Sequence, residues 1–119
     1  MDIQQSVKTV LNNYANFNDR SGRAEFWWWV LAYFGASLVV TFITGAINLH
    51  ILSSLFGLAL LVPSIAISIR RFHDIGKSGW WALLWLLPFI GWAAAIYFSA
   101  QPGQEGANAY GEGPLKPAA

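Results

Sequence analysis

The stretch RRFHDIGKSGWW, residues 70–81, decides the fold class. It gathers two arginines, a histidine, an aspartate, a lysine and paired tryptophans, although only 11% of the 119 residues are charged. It also stands between two charge-free runs: no Asp, Glu, Lys or Arg occurs between Phe26 and Ile69, or between Ser78 and Gln104. A bilayer core about 30 Å thick needs about 20 apolar residues in a helix, so the first run has room for two crossings and the second for one. The stretch is then the turn between two membrane helices, with its arginines and tryptophans at headgroup depth.

Composition points the same way. A soluble domain of this size carries about 25% charged and about 45–50% apolar residues; here the values are 11% and 55%. The first 25 residues are polar and amphipathic, so no cleaved signal peptide is expected. With no cysteine there is no disulfide framework, thiolate nucleophile or cysteine-based metal site. A net charge of +1 gives no global field to recruit nucleic acid.

Working outward, Ile3, Val7, Val10, Leu11, Tyr14 and Phe17 recur at helical spacing. They predict an amphipathic helix over 1–17, begun by Asp2 as N-cap, which either lies on the lipid surface or covers the bundle. Its single lysine, Lys8, offers little attraction to anionic lipid. The linker NDRSGR, 18–23, collects turn formers, and Ser21 or Gly22 can cap the next helix.

The membrane domain, 18–101, is expected to hold helices at about 26–47, 51–71 and 79–100. The short NLH break at 48–50 makes the first two antiparallel neighbours, and Pro63 should kink the second. PFIG, 88–91, interrupts the third; it is read as a kink in a continuous helix rather than a re-entrant hairpin that would return the tail to the cytoplasm. The Gly/Pro-rich tail, 102–119, is expected to be irregular. The fold class is thus an all-α integral membrane protein: three transmembrane helices after an amino-terminal amphipathic helix.

Orientation follows from Lys and Arg in the short flanks. Lys8, Arg20 and Arg23 precede the first helix, and Arg70, Arg71 and Lys77 join the second to the third. The loop between the first two helices has none, and the tail has only Lys116. The amino terminus should be cytoplasmic and, with three crossings of the inner membrane, the tail periplasmic. Trp27, Trp28, Trp29, Trp80 and Trp81 fall on the cytoplasmic side as interfacial aromatics.

Chemical readings of the central stretch narrow quickly. His73 and Asp74 are adjacent, and adjacent helical residues do not face each other; His50 belongs to the far membrane face, so no metal or other cofactor is expected. Ser78, His73 and Asp74 have the residue types of a hydrolytic triad, but nothing marks a nucleophile elbow, and Ser78 before Gly79 reads as a helix N-cap. Three basic residues are too few for nucleic acid.

A coupled transporter normally keeps an ionisable group within the bilayer, and none is found there. A small oligomeric carrier or pore stays open as the rival reading, since Ala32 and Ala36, Ser53 and Gly57, or Gly91 and Ala95 permit close helix contact. The principal reading is a non-enzymatic membrane protein.

Its candidate site is the cluster Arg20, Arg23, Glu25, Arg70, Arg71, His73, Asp74 and Lys77. Glu25 can pair with Arg70 or Arg71, and Asp74 with Arg20 or Arg23. The cluster either fixes helix packing or binds anionic lipid headgroups or a membrane-protein partner, a second copy included.

FNDRSGRAEFW (17–27), RRFHDIGKSGWW (70–81), LLPFIGW (86–92) and PGQEGANAYGEGP (102–114) resemble, in the same order, the motifs of the DUF805 family of small bacterial inner-membrane proteins. The chain departs at Asp19, Phe72 and Lys77, where the family tends to have glycine, leucine and arginine, and at Glu112-Gly113 before Pro114. The resemblance brings no established activity. It implies that residues 102–114 take up a defined conformation, with Asn108 and Tyr110 packing back on the membrane domain.

Overall fold

Helix α1 (Ile3–Asn12) begins as its sequence dictates: the Asp2 carboxylate accepts from the Gln5 amide, and the Gln5 side chain accepts from the Asp2 amide. This capping box satisfies two of the amides a helix start leaves without partners. The helix ends sooner than expected, and residues 13–19 form turns held by Asn16, whose side chain bonds Asn13 and Asp19. Its inner face mixes small polar and apolar groups: Ser6, Thr9 and Val10 are buried, Val7 packs beside them, and the Ser6 hydroxyl donates to the Glu25 carbonyl at 2.6 Å. Ile3 and Leu11, and Tyr14 in the turn that follows, point away from the protein and are exposed.

The computed structural model describes residues 1–117; the last two positions of the expected tail, 118 and 119, lie outside them. Helix α2 (Arg23–Ala46) and helix α3 (His50–Asp74) are each long and apolar enough to cross a membrane. They are antiparallel neighbours joined through Asn48, which adopts a left-handed φ of 58°. Leu49 donates to Thr44 and Asn48 to Gly45, so the last carbonyls of α2 are capped in a Schellman motif. The end of α3 repeats the device: Gly76 has φ 81°, Lys77 donates to Phe72 and Gly76 to His73. The helix runs on through Pro63. Val10, Phe26, Trp29 and Ile67 form the buried core between α1, α2 and α3, flanked by Tyr33, Leu60 and Trp85.

The expected continuous helix over 79–100 is not what forms. A 3₁₀ helix (Gly79–Leu86), capped by the Ser78 hydroxyl, is followed by a break and then helix α4 (Ile90–Ser99). At the break Ile90 donates to Pro88 across Phe89, whose φ of 62° and ψ of −74° make a γ-turn, a strained conformation for a residue with a side chain. Proline at 88 cannot donate to continue the preceding helix, and the chain reverses.

The reversal folds α4 back along the 3₁₀ helix. Phe98, near the end of α4, lies 5.7 Å from Trp81, near the start of the 3₁₀ helix, and the Trp92 indole donates to the Trp85 carbonyl at 2.9 Å. Gly91 permits this approach, since a Cβ there would stand 2.1 Å from the Leu84 carbonyl oxygen. Each arm rises about 15 Å at about 2.0 Å per residue for the 3₁₀ helix and about 1.5 Å for α4, about half a bilayer core.

The tail also departs from expectation. Three crossings would put it at the far face, but residues 101–115 run across the end of the bundle that carries the 18–25 segment. Leu115 donates to the Arg20 carbonyl at 2.8 Å and Gln104 to the Asp74 carbonyl at 2.8 Å. Among the described residues the only extended pairings are isolated bridges, Arg20 with Pro114 and Asn108 with Gly111.

Candidate functional site

Where α3 ends, three guanidinium groups are withdrawn from solvent almost completely: Arg20, Arg70 and Arg71 are each 1% exposed or less. A buried charge is tolerated only with partners of opposite sign and a full set of hydrogen bonds. Each has both.

Arg70 donates through Nη2 to the Glu25 Oε2 at 3.0 Å and through Nε to the Ser21 hydroxyl at 2.8 Å. Its Nη1 reaches the carbonyls of Asn13 and Asn16, at 2.8 and 2.9 Å, in the turn after α1. Ser21 completes the loop by donating to Glu25, while its own amide donates to the Arg70 carbonyl. Arg70 therefore ties the turn after α1 and the start of α2 to the end of α3.

Asp74 serves two arginines at once. Its Oδ1 accepts from Arg20 Nε at 3.0 Å and its Oδ2 from Arg71 Nη1 at 2.8 Å. Arg71 then donates to the carbonyls of Ser99 (3.0 Å), Ser21 (3.3 Å) and Gln101, which fastens the returning end of α4. Arg20 spreads its other donors over the carbonyls of Gln104, Gly106 and Gly111 at 2.6, 2.7 and 3.2 Å. The tail passes so close that a Cβ on Gly103 would lie 2.1 Å from the Asp74 carboxylate.

His73 closes the assembly. Its Nδ1 donates to the Asp19 carbonyl at 3.1 Å, because a carbonyl can only accept. Its ring is stacked on Tyr110 at 3.9 Å and 2° from parallel, and its carbonyl accepts from Asn108 at 2.9 Å.

The eight candidate residues thus divide. Arg20, Glu25, Arg70, Arg71, His73 and Asp74 are all buried in one network. Three planar forks with nearly every donor committed have little left for a lipid phosphate, and of the two roles open to the cluster these six residues take up the one of fixing how the helices pack. Arg23 is exposed, with one long contact of 3.5 Å to the Ala100 carbonyl. Lys77 is half-buried, its ammonium 4.6 and 4.7 Å from the Trp81 and Phe98 rings.

The tryptophans divide as well. Trp80, Trp81 and Trp28 are exposed and Trp27 is half-buried, but Trp29 belongs to the core and donates to the Ser64 hydroxyl at 3.3 Å. The three residues considered for catalysis are engaged elsewhere: Ser78 Oγ accepts from the Trp80 amide, His73 contacts Asp19, and Asp74 holds the two arginines. His50 begins α3 and His73 stands near its end, about 35 Å along the helix at about 1.5 Å per residue.

Ser21, Ser99, Gln101 and the tail carbonyls are absent from the sequence-derived site. No residue type marks a backbone carbonyl as a ligand, and a serine in a turn reads as a cap. The one available signal was the motif match of the tail.

A second feature adjoins the network. An apolar groove of about 540 Å³ runs between α2, α3 and the 3₁₀ helix, lined by Phe26, Tyr33, Leu61, Ser68 and Trp85 among others. The Trp85 indole N–H is buried there without a partner among the described residues.

The sequence profile described as "Protein of unknown function (DUF805)" matches residues 14–112. The chain is 42% identical over 108 residues to "Inner membrane protein YhaI" of Escherichia coli strain K12, covering 89% of this chain and 92% of that protein. It is 36% identical over 115 residues to "Inner membrane protein YhaH" of the same strain, covering 88% and 92%. It is 39% identical over 83 residues to the same strain's "Uncharacterized protein YiiR", covering 66% of this chain and 57% of that one. No solved structure matches the chain.

Proposed function

The chain belongs to the DUF805 family, and from that membership we propose that it is a non-enzymatic inner-membrane protein that presents a rigid cytoplasmic cap to the bilayer interface and contacts anionic lipid there. In this reading α2 and α3 cross the membrane. The 3₁₀ helix and α4 dip in from the cytoplasmic side to about the midplane and return, and both the α1 end and the tail are cytoplasmic. The charge bias supports this orientation, since all seven Lys and Arg belong to segments at the network end or flanking it and the α2–α3 connection has none.

The observation that carries the proposal is the division of the apolar residues of α1. Val10 enters the core and Val7 packs against it, while Ile3 and Leu11 are left exposed beside two membrane-length helices, an arrangement that leaves them for the acyl boundary. Lipid is favoured over a protein partner because the outward faces of α2 and α3 are apolar along their length, with the tryptophans and cations of these two helices confined to one end.

The chain has no cysteine, so single introduced cysteines report topology directly. In intact cells an impermeant maleimide should label Asn48→Cys but neither Gln4→Cys nor Glu112→Cys, all three positions being exposed. Labelling of Glu112→Cys from outside would restore a third crossing, and labelling of Gln4→Cys would invert the protein.

A further inference from the structure

We propose that the groove between α2, α3 and the 3₁₀ helix is a binding site for one anionic phospholipid of the cytoplasmic leaflet, its phosphate held by Arg23 and one acyl chain lying in the groove. The inference deepens the lipid-contact reading above and rests on its topology.

Depth can be assigned along the groove from contacts already described. Ser21 and Glu25 bond Arg70, and Trp29 bonds Ser64, so the first turn of α2 lies level with the end of α3 and successive turns descend together. The groove spans Phe26 to Phe34 on α2 and Leu61 to Ile69 on α3, eight steps each, or about 12 Å at about 1.5 Å per residue. That is most of one leaflet's share of a core about 30 Å thick, and the volume lies in the range of about 300–1,000 Å³ typical of ligand pockets. An apolar groove of that depth, opening on the hydrocarbon, matches a single chain.

Arg23 supplies the charge. It precedes Phe26 and Val30 by three and seven residues, so it stands one turn nearer the cytoplasm on the same side of α2 as two groove-lining residues. It is the one arginine of the four outside the buried network, and its 3.5 Å contact with the Ala100 carbonyl is easily exchanged for a phosphate oxygen. About one turn below it, Ser68 lines the groove with a hydroxyl that has no partner among the described residues. That is the depth at which the glycerol ester carbonyl of a phosphate-anchored lipid would accept a hydrogen bond. A cation at the mouth, a donor beneath it and a dry channel below follow the order of phosphate, ester and chain in a phospholipid.

The test uses the full chain in detergent micelles, with palmitoyl-oleoyl phosphatidylglycerol and the matching phosphatidylcholine offered in equal amounts and retention counted by native mass spectrometry. The wild type should retain one phosphatidylglycerol in preference to phosphatidylcholine by about fivefold, the factor that one interfacial arginine contributes. Arg23→Gln, at an exposed position, should bring the ratio to about one, while Lys8→Gln should leave it unchanged. Ala82→Phe, which fills the groove, should lose both lipids. Equal retention by the wild type, as detergent chains alone in the groove would give, overturns the proposal. So does a preference that Lys8→Gln and Arg23→Gln reduce alike, the mark of bulk surface charge, or lipid retained by folded Ala82→Phe. The cysteine-labelling result is read separately: the topology can stand while selectivity fails, and selectivity in micelles is measurable whichever way the protein is inserted.

Discussion

Arg70 and Glu25, 45 positions apart in sequence, meet at 3.0 Å with both side chains withdrawn from solvent. Breaking such a pair from one side strands the other charge, a loss of about 3–5 kcal/mol. Arg70→Ala should therefore sharply lower the unfolding midpoint in detergent. Removing Glu25 as well should recover part of that loss, because the pair no longer leaves an unmatched carboxylate. Strict additivity of the two single substitutions would rule out a direct coupling.

Arg20 is the tail's anchor, and its planar fork serves carbonyls at 104, 106 and 111 at once. Lysine keeps the charge but not the fork. Arg20→Lys should leave the helical content intact and accelerate amide exchange over residues 102–115 by about ten- to a hundredfold, the equivalent of about 1.5–3 kcal/mol for a charged hydrogen bond. Exchange confined to its wild-type rate would mean that the tail is held by the Tyr110 stack and Asn108 without it.

The re-entrant arms meet at Gly91, where an added methyl would lie 2.1 Å from the Leu84 carbonyl oxygen. Gly91→Ala should destabilise the protein by about 1–3 kcal/mol, the usual cost of forcing a backbone shift in a packed region. Gly35→Ala is the matched control, since a Cβ there meets nothing within 4 Å and alanine favours the helix. If the two variants melt alike, the arms are not in contact.

A spin label reports where α1 lies. At Leu11, on the outward apolar stripe, it should be more accessible to oxygen than to a water-soluble nickel complex in reconstituted vesicles; at Asn12, one step round the helix, the order should reverse. Nickel access at both sites would place the stripe in water or beneath a protein partner.

Much of this architecture could be read from the residues because its signals are local. The charge-free run marked the two long helices, and Asp2 and Ser78 their capping roles. What could not be read is set by direction. A count of arginines assigns a face but not whether a guanidinium points out to phosphate or inward to carbonyls, and here three of four point inward. Likewise the 22 uncharged residues from Gly79 to Ala100 suffice in length for a crossing. Whether they cross or double back depends on the backbone at Phe89 and on the clearance Gly91 gives to Leu84, neither of which a hydropathy pattern contains. The same limit hid Trp29, which shares its composition with its interfacial neighbours but faces Ser64.

The reach of Arg20 bears on how the protein is made. Residue 20 leaves the ribosome well before the carbonyls at 104, 106 and 111 that complete its hydrogen bonds. Until they arrive, an arginine destined for a dry interior has only Asp74 to lean on. The cap thus closes only once the chain has been made past Gly111, and a chain cut short ahead of Gln104 leaves at the membrane surface an arginine with one carboxylate and several unmet donors, the kind of flaw by which quality-control proteases tell unfinished chains from complete ones.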